Sequence, residues 1–313
     1  MPSNQTPLGA LPARFRKERL LIVGCGDIGL RLARLARPNV RLIALTSNPN
    51  RTFELKSQGI TTITGDLDHA RTLSRLSGLC TRLVHLAPPP GQGAEDWRTR
   101  NLIHTLLKRS PPVHCVYAST SGVYGDCSGD WVSETRALNP ITERAKRRVH
   151  AEALMRFFVN LLIGSPTSPR LTTLRVPGIY ALNREQGTPE GRLKRGTPVL
   201  DAKSDVYTNH IQADDLARAC WLALWRGPNN RAINTSDDSH MKMAEYMDWA
   251  ADRFGVARPP RISLEAALEV MNPMQLSFMQ ESRRLVNIRL KNELKLKLLY
   301  PTIKEGLSVP KDS

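Results

Sequence analysis

The stretch GCGDIG places Gly24, Gly26 and Gly29 in GxGxxG spacing, directly after the apolar run at 20–23 and at the opening of a helix-spaced segment. In that context the spacing does definite chemistry. The first glycine permits a tight turn, the second lets the backbone approach a pyrophosphate, and the third allows a helix to pack close to its strand. The helix N-terminus then faces the diphosphate with free N–H groups and the positive end of its dipole. Gly24, Gly26 and Gly29, with Asp27 and Ile28 between them, are therefore candidate residues for binding a dinucleotide. A carboxylate usually ends the second strand of such a unit, where it accepts hydrogen bonds from the adenosine ribose hydroxyls of NAD. Here Thr46 and Ser47 stand in its place, followed by Asn48 and Arg51. No carboxylate repels a 2′-phosphate and Arg51 can pair with one, which puts NADP slightly ahead of NAD; an Arg51 that only faces solvent is the alternative. A second stretch, NPITERAKRRVHAE at 139–152, opens a helical segment with four cations in five positions: Arg144, Lys146, Arg147 and Arg148. It reads as a solvated face, a patch for polyanions or an altered active site.

The elements that must position these residues alternate as a parallel sheet demands. Strands are expected at 20–24, 40–46, 61–66, 82–87, 114–120 and 171–180, with helical spacing at 27–37, at 98–110 and in a long stretch from about 144 to 160. Repeated βα units with right-handed crossovers predict an α/β fold, a doubly wound parallel sheet of Rossmann type. Beyond 181 the turns grow richer in Gly, Pro and Asn and the segments less regular, with helices expected at 213–226, 241–254 and 264–270. The expected organisation is a flexible basic leader at 1–18, a dinucleotide-binding domain at 19–180, and a smaller C-terminal α/β lobe at 181–313 that is free to cross back to the main sheet.

Bulk properties bound the function. With 313 residues, 41% hydrophobic and 24% charged, the chain can bury a full core and is not a disordered one. Its five cysteines are widely spaced, form no CxxC pair or Cys/His cluster, and suit reduced thiols in a cytoplasmic protein with no metal. The longest apolar runs, at 157–164 and 220–225, fall short of the roughly 20 residues a membrane span requires. A net charge of +16 makes a field attractive to any polyanion. The cations are spread through the chain, with local groups at 144–148, 192–195 and 283–297, and no reading helix, zinc module or aromatic-studded sheet accompanies them. No nucleic-acid partner is expected, and the plain reading is a basic, solvated surface.

Several stretches taken together, LLIVGCGDIG, TGDLDH, LVHLAPPP, YASTSGVYGD, LRVPGIY and HIQADDLARA, occur in the order seen in extended short-chain dehydrogenases/reductases, the group of nucleotide-sugar epimerases and dehydratases. The chain resembles most their atypical branch of NAD(P)-binding, epimerase-like proteins, and RRLVNIRLKNELKLKLLYPTIKEGL resembles the end of those chains; the likeness runs from about residue 19 to 307. The resemblance implies that Asp66 and Leu67 lie beside the adenine and that Ala87 and Pro88 run along the cofactor after the fourth strand. It places Thr120 at the catalytic Ser/Thr hydroxyl, four residues before Tyr124, and Arg175 to Tyr180 along the far side of the pocket. Asp214 and Asp215 fall in a short structural stretch near it, where they serve equally well as helix N-terminal carboxylates.

The family's active helix carries Tyr, then Lys four residues on, then commonly Glu a further four on, all on one face. Anchored on Glu152, this register puts Arg148 at the lysine position and Arg144 at the tyrosine position. The usual acid/base pair is absent, because arginine stays charged at any working pH and cannot move a proton. Arg148 can still hold ribose hydroxyls as lysine would, and Arg144 can grip an anionic group with two hydrogen bonds. Lys146 and Arg147 point to other faces and are expected to be solvated. Tyr124, Tyr180 and His85 are the other groups able to carry a proton, but none has a lysine four residues on, and core roles suit all three. The resemblance thus implies an NAD(P)-binding, epimerase/dehydratase-like oxidoreductase with a small, anionic, nucleotide-linked substrate and a non-standard acid/base. The alternative is a non-catalytic dinucleotide-binding sensor or regulatory protein. Helices near 98–110 and 144–160 resemble those that pair in dimers of the family, which admits a homodimer.

Overall fold

A computed structural model describes residues 17–308 apart from 166–167, 185–186, 272–275 and 278. The expected leader falls, for residues 1–16, outside the described residues, as does part of the loop at 164–169.

Seven parallel strands form the main sheet: β1 (Glu18–Val23), β2 (Val40–Thr46), β3 (Thr61–Thr64), β4 (Arg82–His85), β5 (His114–Thr120), β7 (Arg170–Val176) and β11 (Arg231–Asn234). Their order is β11-β7-β5-β4-β1-β2-β3, and every neighbouring pair is parallel. The chain runs outward from β1 through β2 and β3, then crosses to β4 on the other side. That reversal opens a crevice at the carboxyl ends of β1 and β4, the place where open α/β sheets bind ligands.

The strands are apolar almost throughout because both faces of the sheet are covered. Leu20, Ile22, Val84, Val116 and Leu174 face one layer, made by α1 (Asp27–Arg34) and α6 (Ala213–Arg226). Leu21, Val23, Leu83, Cys115 and Tyr117 face the other, made by α3 (Trp97–Leu106) and α4 (Glu143–Leu161). Each fully buried aliphatic or aromatic side chain contributes roughly 1.5–3 kcal/mol relative to exposure, which locks the alternation in register. The helix α4 starts where it does because Thr142 caps it, its hydroxyl accepting from the Ala145 amide at 3.2 Å, with Glu143 in the first turn.

Residues past 180 divide. The segment with β10 (His210–Gln212), α6 and β11 returns to the main sheet, α6 lying against α1 and β11 at the edge beside β7. The short β8 (Gly178–Tyr180) pairs with β10, β9 (Val199–Leu200) with β12 (Arg261–Ile262), and β6 (Trp131–Val132) with β13 (Arg284–Leu285). A separate small core of Tyr180, Leu193, Val199, Tyr246, Met247 and Ile303 gathers around α7 (Met243–Phe254). All five cysteines are buried and free. Among the described residues no helix is long and apolar enough to cross a membrane, and no cluster of His, Cys, Asp and Glu is placed to hold a metal ion.

Candidate active site

The glycine turn sits at the crevice, and its three glycines meet three different surroundings. Gly24 has φ +87°, and a β-carbon there would stand 2.4 Å from the Ala87 amide nitrogen, so this turn and the end of β4 are pressed together. A β-carbon on Gly29 would meet Ile22 and Cys25 at 3.2 Å, the close helix-on-strand contact expected of the third glycine. On Gly26 it would meet nothing within 4 Å. The second glycine thus borders open space at the N-terminus of α1, where the amides of Asp27, Ile28 and Gly29 have no acceptor within their own helix. These residues fit a diphosphate: a backbone cradle, free donors and no side chain in the way. The Asp27 carboxylate is held by Arg31 at 2.9 Å and by Arg184 at 2.6 Å, leaving its amide as the group it can offer.

Arg51, at the start of α2 (Arg51–Ser57), does not project into solvent alone. Its Nη1 donates to the Cys25 carbonyl of the glycine turn at 2.9 Å, and its Nε pairs with Glu54 at 3.2 Å. Asp66 is half exposed, accepting from the Asp68 amide at 2.9 Å, while Leu67 is buried and its carbonyl accepts from Asn101 at 2.8 Å. Ala87 underlies the turn, and Pro88 begins a wall that continues to Gly91.

That wall bounds a cavity of about 840 Å3. Thr120 and Gly122 at the end of β5, Arg144 and Arg148 on α4, and Pro177 to Ile179 after β7 form its other sides. Arg148 is braced against β5, donating to the Ala118 carbonyl at 2.8 Å and the Tyr117 hydroxyl at 3.1 Å. The Thr120 hydroxyl accepts from the Gly122 amide at 3.3 Å. Four of the residues singled out in the sequence, Thr120, Arg144, Arg148 and Pro88, therefore share one cavity.

Tyr124 does not join them, which corrects its place among the catalytic candidates. The short helical turn at Ser121–Tyr124 turns Gly122 to the cavity and Tyr124 into the interior, where it is 1% exposed. Its hydroxyl donates to Asn234 at 2.7 Å and accepts from Arg175 at 2.9 Å, and burial pushes its pKa up to about 12, against the opposing pull of Arg175. Arg175 itself faces away from the cavity in a buried two-pronged ion pair with Glu152, at 2.9 and 3.2 Å. Tyr180 is buried with its hydroxyl on the Thr302 carbonyl at 3.2 Å. His85 is buried beside Thr99 at 2.9 Å, and burial lowers its pKa to about 4. Asp215 is buried, accepting the amides of Leu299 and Tyr300, and Asp214 pairs with Arg31.

Arg147 is the second correction. It is 7% exposed, donates to the Gly93 carbonyl and lines the cavity, because the first turns of α4 lie against the 88–93 segment and bury this face as well. Lys146 is solvated, paired with Glu143 at 2.8 Å.

Sequence reasoning missed a further set: Arg184, Arg192, Tyr207, His210, Glu281 and Arg283 all line the same cavity. The cationic groups at 192–195 and 283–297 were visible, but nothing in their spacing says that they converge on Thr120. With six arginines and one carboxylate among its described lining residues, the cavity has a strongly positive field. Burial lowers the Arg144 pKa, Glu281 opposes this, and Arg148, Arg147 and Arg283 add to it. The guanidinium remains charged even so. Such a site suits an anion and, through its arginines alone, moves no proton.

No protein-family model matches the chain, and no curated protein matches it. Solved structures do. A functionally unknown conserved protein from Silicibacter pomeroyi is 25% identical, with a TM-score of 0.72 over 93% of this chain and 96% of its own. A UDP-glucose 4-epimerase from Thermotoga maritima, solved with UDP-glucose, is 16% identical with a TM-score of 0.73, covering 92% of this chain and 96% of its own. A UDP-glucuronic acid 4-epimerase from Bacillus cereus, in complex with NAD, is 17% identical with a TM-score of 0.69, covering 92% and 95%. The chain thus has the Rossmann-type fold of the NAD-dependent epimerases and dehydratases, an extended short-chain dehydrogenase/reductase-like fold.

Proposed function

We propose that the protein is an NAD(P)-dependent oxidoreductase of epimerase or dehydratase type that acts on a small anionic, nucleotide-linked substrate. One observation carries this reading: the open glycine turn and the arginine-lined cavity meet along the wall that begins at Ala87 and Pro88. The amides of Asp27, Ile28 and Gly29 hold the diphosphate, Asp66 and Leu67 flank the adenine, and Arg148 holds the nicotinamide-side ribose. When bound, the nicotinamide accepts or returns a hydride. Thr120 hydrogen-bonds the substrate oxygen at which charge develops, and Arg144, Arg147 and Arg192 neutralise the substrate's anionic group. Arg51, held beside the glycine turn with no carboxylate at the end of β2, favours NADP over NAD. The solved neighbours with NAD or a UDP-sugar support the cofactor and substrate class.

Calorimetric titration with NADP and NAD tests it: binding of at least one, tighter for NADP and weakened toward NADP by Arg51→Ala, is expected. No binding of either at millimolar concentration would end this reading. The replacement of the usual Tyr and Lys by Arg144 and Arg148 favours one alternative, a dinucleotide-binding sensor without turnover. Cofactor-dependent conversion of any nucleotide sugar, lost in Thr120→Ala, argues against that alternative.

A further inference from the structure

Among the described residues that line the cavity, one side chain is a carboxylate: Glu281. It comes from the segment before β13, far in sequence from every motif that marks the site. Its side chain is 10% exposed, and Oε2 accepts from Arg283 Nη1 at 2.9 Å. Arg283, also 10% exposed, is anchored in turn on the Gly125 carbonyl at 2.6 Å, just past the turn that carries Thr120. The carboxylate is therefore fixed against the β5 end of the cavity.

Gly122 fixes where. The point at which a β-carbon on Gly122 would stand is 3.7 Å from Thr120 Oγ1 and 3.8 Å from Glu281 Oε2. With hydrogen in place of a methyl, Gly122 leaves the hydroxyl and the carboxylate flanking one shared space. Arg144, whose position in the helix is that of the missing tyrosine, faces the same carboxylate electrostatically. The other titratable lining groups fit proton transfer less well. Six are arginines, the His210 ring is packed between Tyr180 and Tyr246, and the Tyr207 ring lies 4.6 Å from the Arg284 guanidinium and 5.8 Å from the Lys242 ammonium.

We infer that Glu281 is the proton-transfer group of this site, working beside the Thr120 hydroxyl in place of the tyrosine. The inference rests on the cofactor-dependent reading above. In the oxidative direction Glu281 accepts the proton of a substrate hydroxyl bound at Thr120, forming a carboxyl O–H bond. The O–H bond of the substrate would break as the alcohol carbon becomes a carbonyl, its C–H electron pair leaving as the hydride that a bound oxidised nicotinamide would take up. In the reverse direction the carboxyl returns the proton. Arg283, from its own segment, donates to this carboxylate, and Arg144, from α4, faces it.

The test uses the full-length protein, a panel of nucleotide sugars that includes UDP-glucose and UDP-glucuronic acid, and NADP and NAD. Glu281→Gln is expected to lower kcat on the order of a hundred- to ten-thousand-fold, with KM and cofactor affinity retained, and to abolish the acid limb of the pH profile of the wild type. Glu281→Asp is expected to restore part of the rate. Gly122→Ala, whose added methyl would make only ordinary contacts at 3.6–3.8 Å, leaves the ion pair with Arg283 in place and is expected to block turnover by filling the shared space. A readout without turnover is the proton uptake on binding UDP, taken from calorimetry in two buffers of different ionisation heat; wild type and Glu281→Gln are expected to differ.

Equal kcat and pH profiles in wild type and Glu281→Gln would overturn the inference, as would equal proton uptake. A wild type that binds cofactor but converts nothing in the panel would overturn it too, while leaving a dinucleotide-binding protein. Loss of cofactor binding in the wild type itself would instead overturn the proposed function beneath it.

Discussion

The glycine turn after β1 and the first turns of α4 are built in opposite ways. The turn presents backbone: Gly24 is pressed on Ala87, Gly26 borders open space, and the donors are amides that any residue would supply. The start of α4 presents side chains instead, Arg144, Arg147 and Arg148. A cradle made of amides tolerates little change, because its shape depends on the absence of β-carbons. A site made of side chains can change its chemistry as long as the scaffold beneath it holds. Below Arg148, Glu152 and Arg175 keep that scaffold, joining α4 to β7 in a buried ion pair.

The strongest way to break the contrast is to remove the scaffold. Glu152→Ala leaves the Arg175 guanidinium buried without its charge partner and is expected to destabilise by about 3–5 kcal/mol, read by chemical denaturation. Gly24→Ala combines a positive φ with a 2.4 Å clash against backbone, and about 2–4 kcal/mol of destabilisation is expected together with loss of cofactor binding. Gly26→Ala sharpens the comparison from the other side. Its methyl meets no protein atom, so stability should move by no more than about 0.5 kcal/mol, while calorimetry should show NADP affinity reduced by roughly tenfold or more, about 1.4 kcal/mol. If Gly26→Ala binds as tightly as the wild type, the turn is not a phosphate cradle.

Two adjacent residues on α4 give a smaller test. Arg147→Ala removes a partly buried hydrogen bond to Gly93 and is expected to cost about 1 kcal/mol, whereas Lys146→Ala, in an exposed pair, should fall within about 0.5 kcal/mol. The gentlest probe is pH. His85 ends β4 next to Val23 of β1, between the two regions; burial depresses its pKa to about 4, with Asp96 opposing and Arg148 adding to the shift. The folded state therefore favours the neutral ring. Its contribution to stability is complete above the unfolded value of about 6.5 and is lost as pH falls through about 4. Denaturation midpoints of His85→Gln should vary less with pH across that window than those of the wild type.

Much of the framework could be read in the chain. The helix at 213–226 and the strands at 40–46 and 114–120 have the bounds their periodicity suggests, and the doubly wound order follows from repeated βα units. The glycine turn was legible because its requirement is local: three residues at fixed spacing need space, and only glycine supplies it. Arg147 misled because helical spacing says which residues share a face and not which faces are covered. Tyr124 was open to a proton-carrying or a core role, and one short turn places its ring in the core. Glu281 had no local signal, since Thr120 and Glu281 approach only through the fold.

The order of apolar and polar residues along this chain was enough to determine a parallel sheet and a tight glycine turn at the end of its first strand. Each is a property of residues within a few positions of one another, where backbone geometry alone sets what the spacing means. Which charges would share the cavity was decided by tertiary structure. Six arginines and one carboxylate drawn from α4, the 184–192 stretch and the 281–283 stretch converge only once α4 is packed on β5 and β7. Electrostatic interaction falls with distance in space and takes no account of distance along the chain.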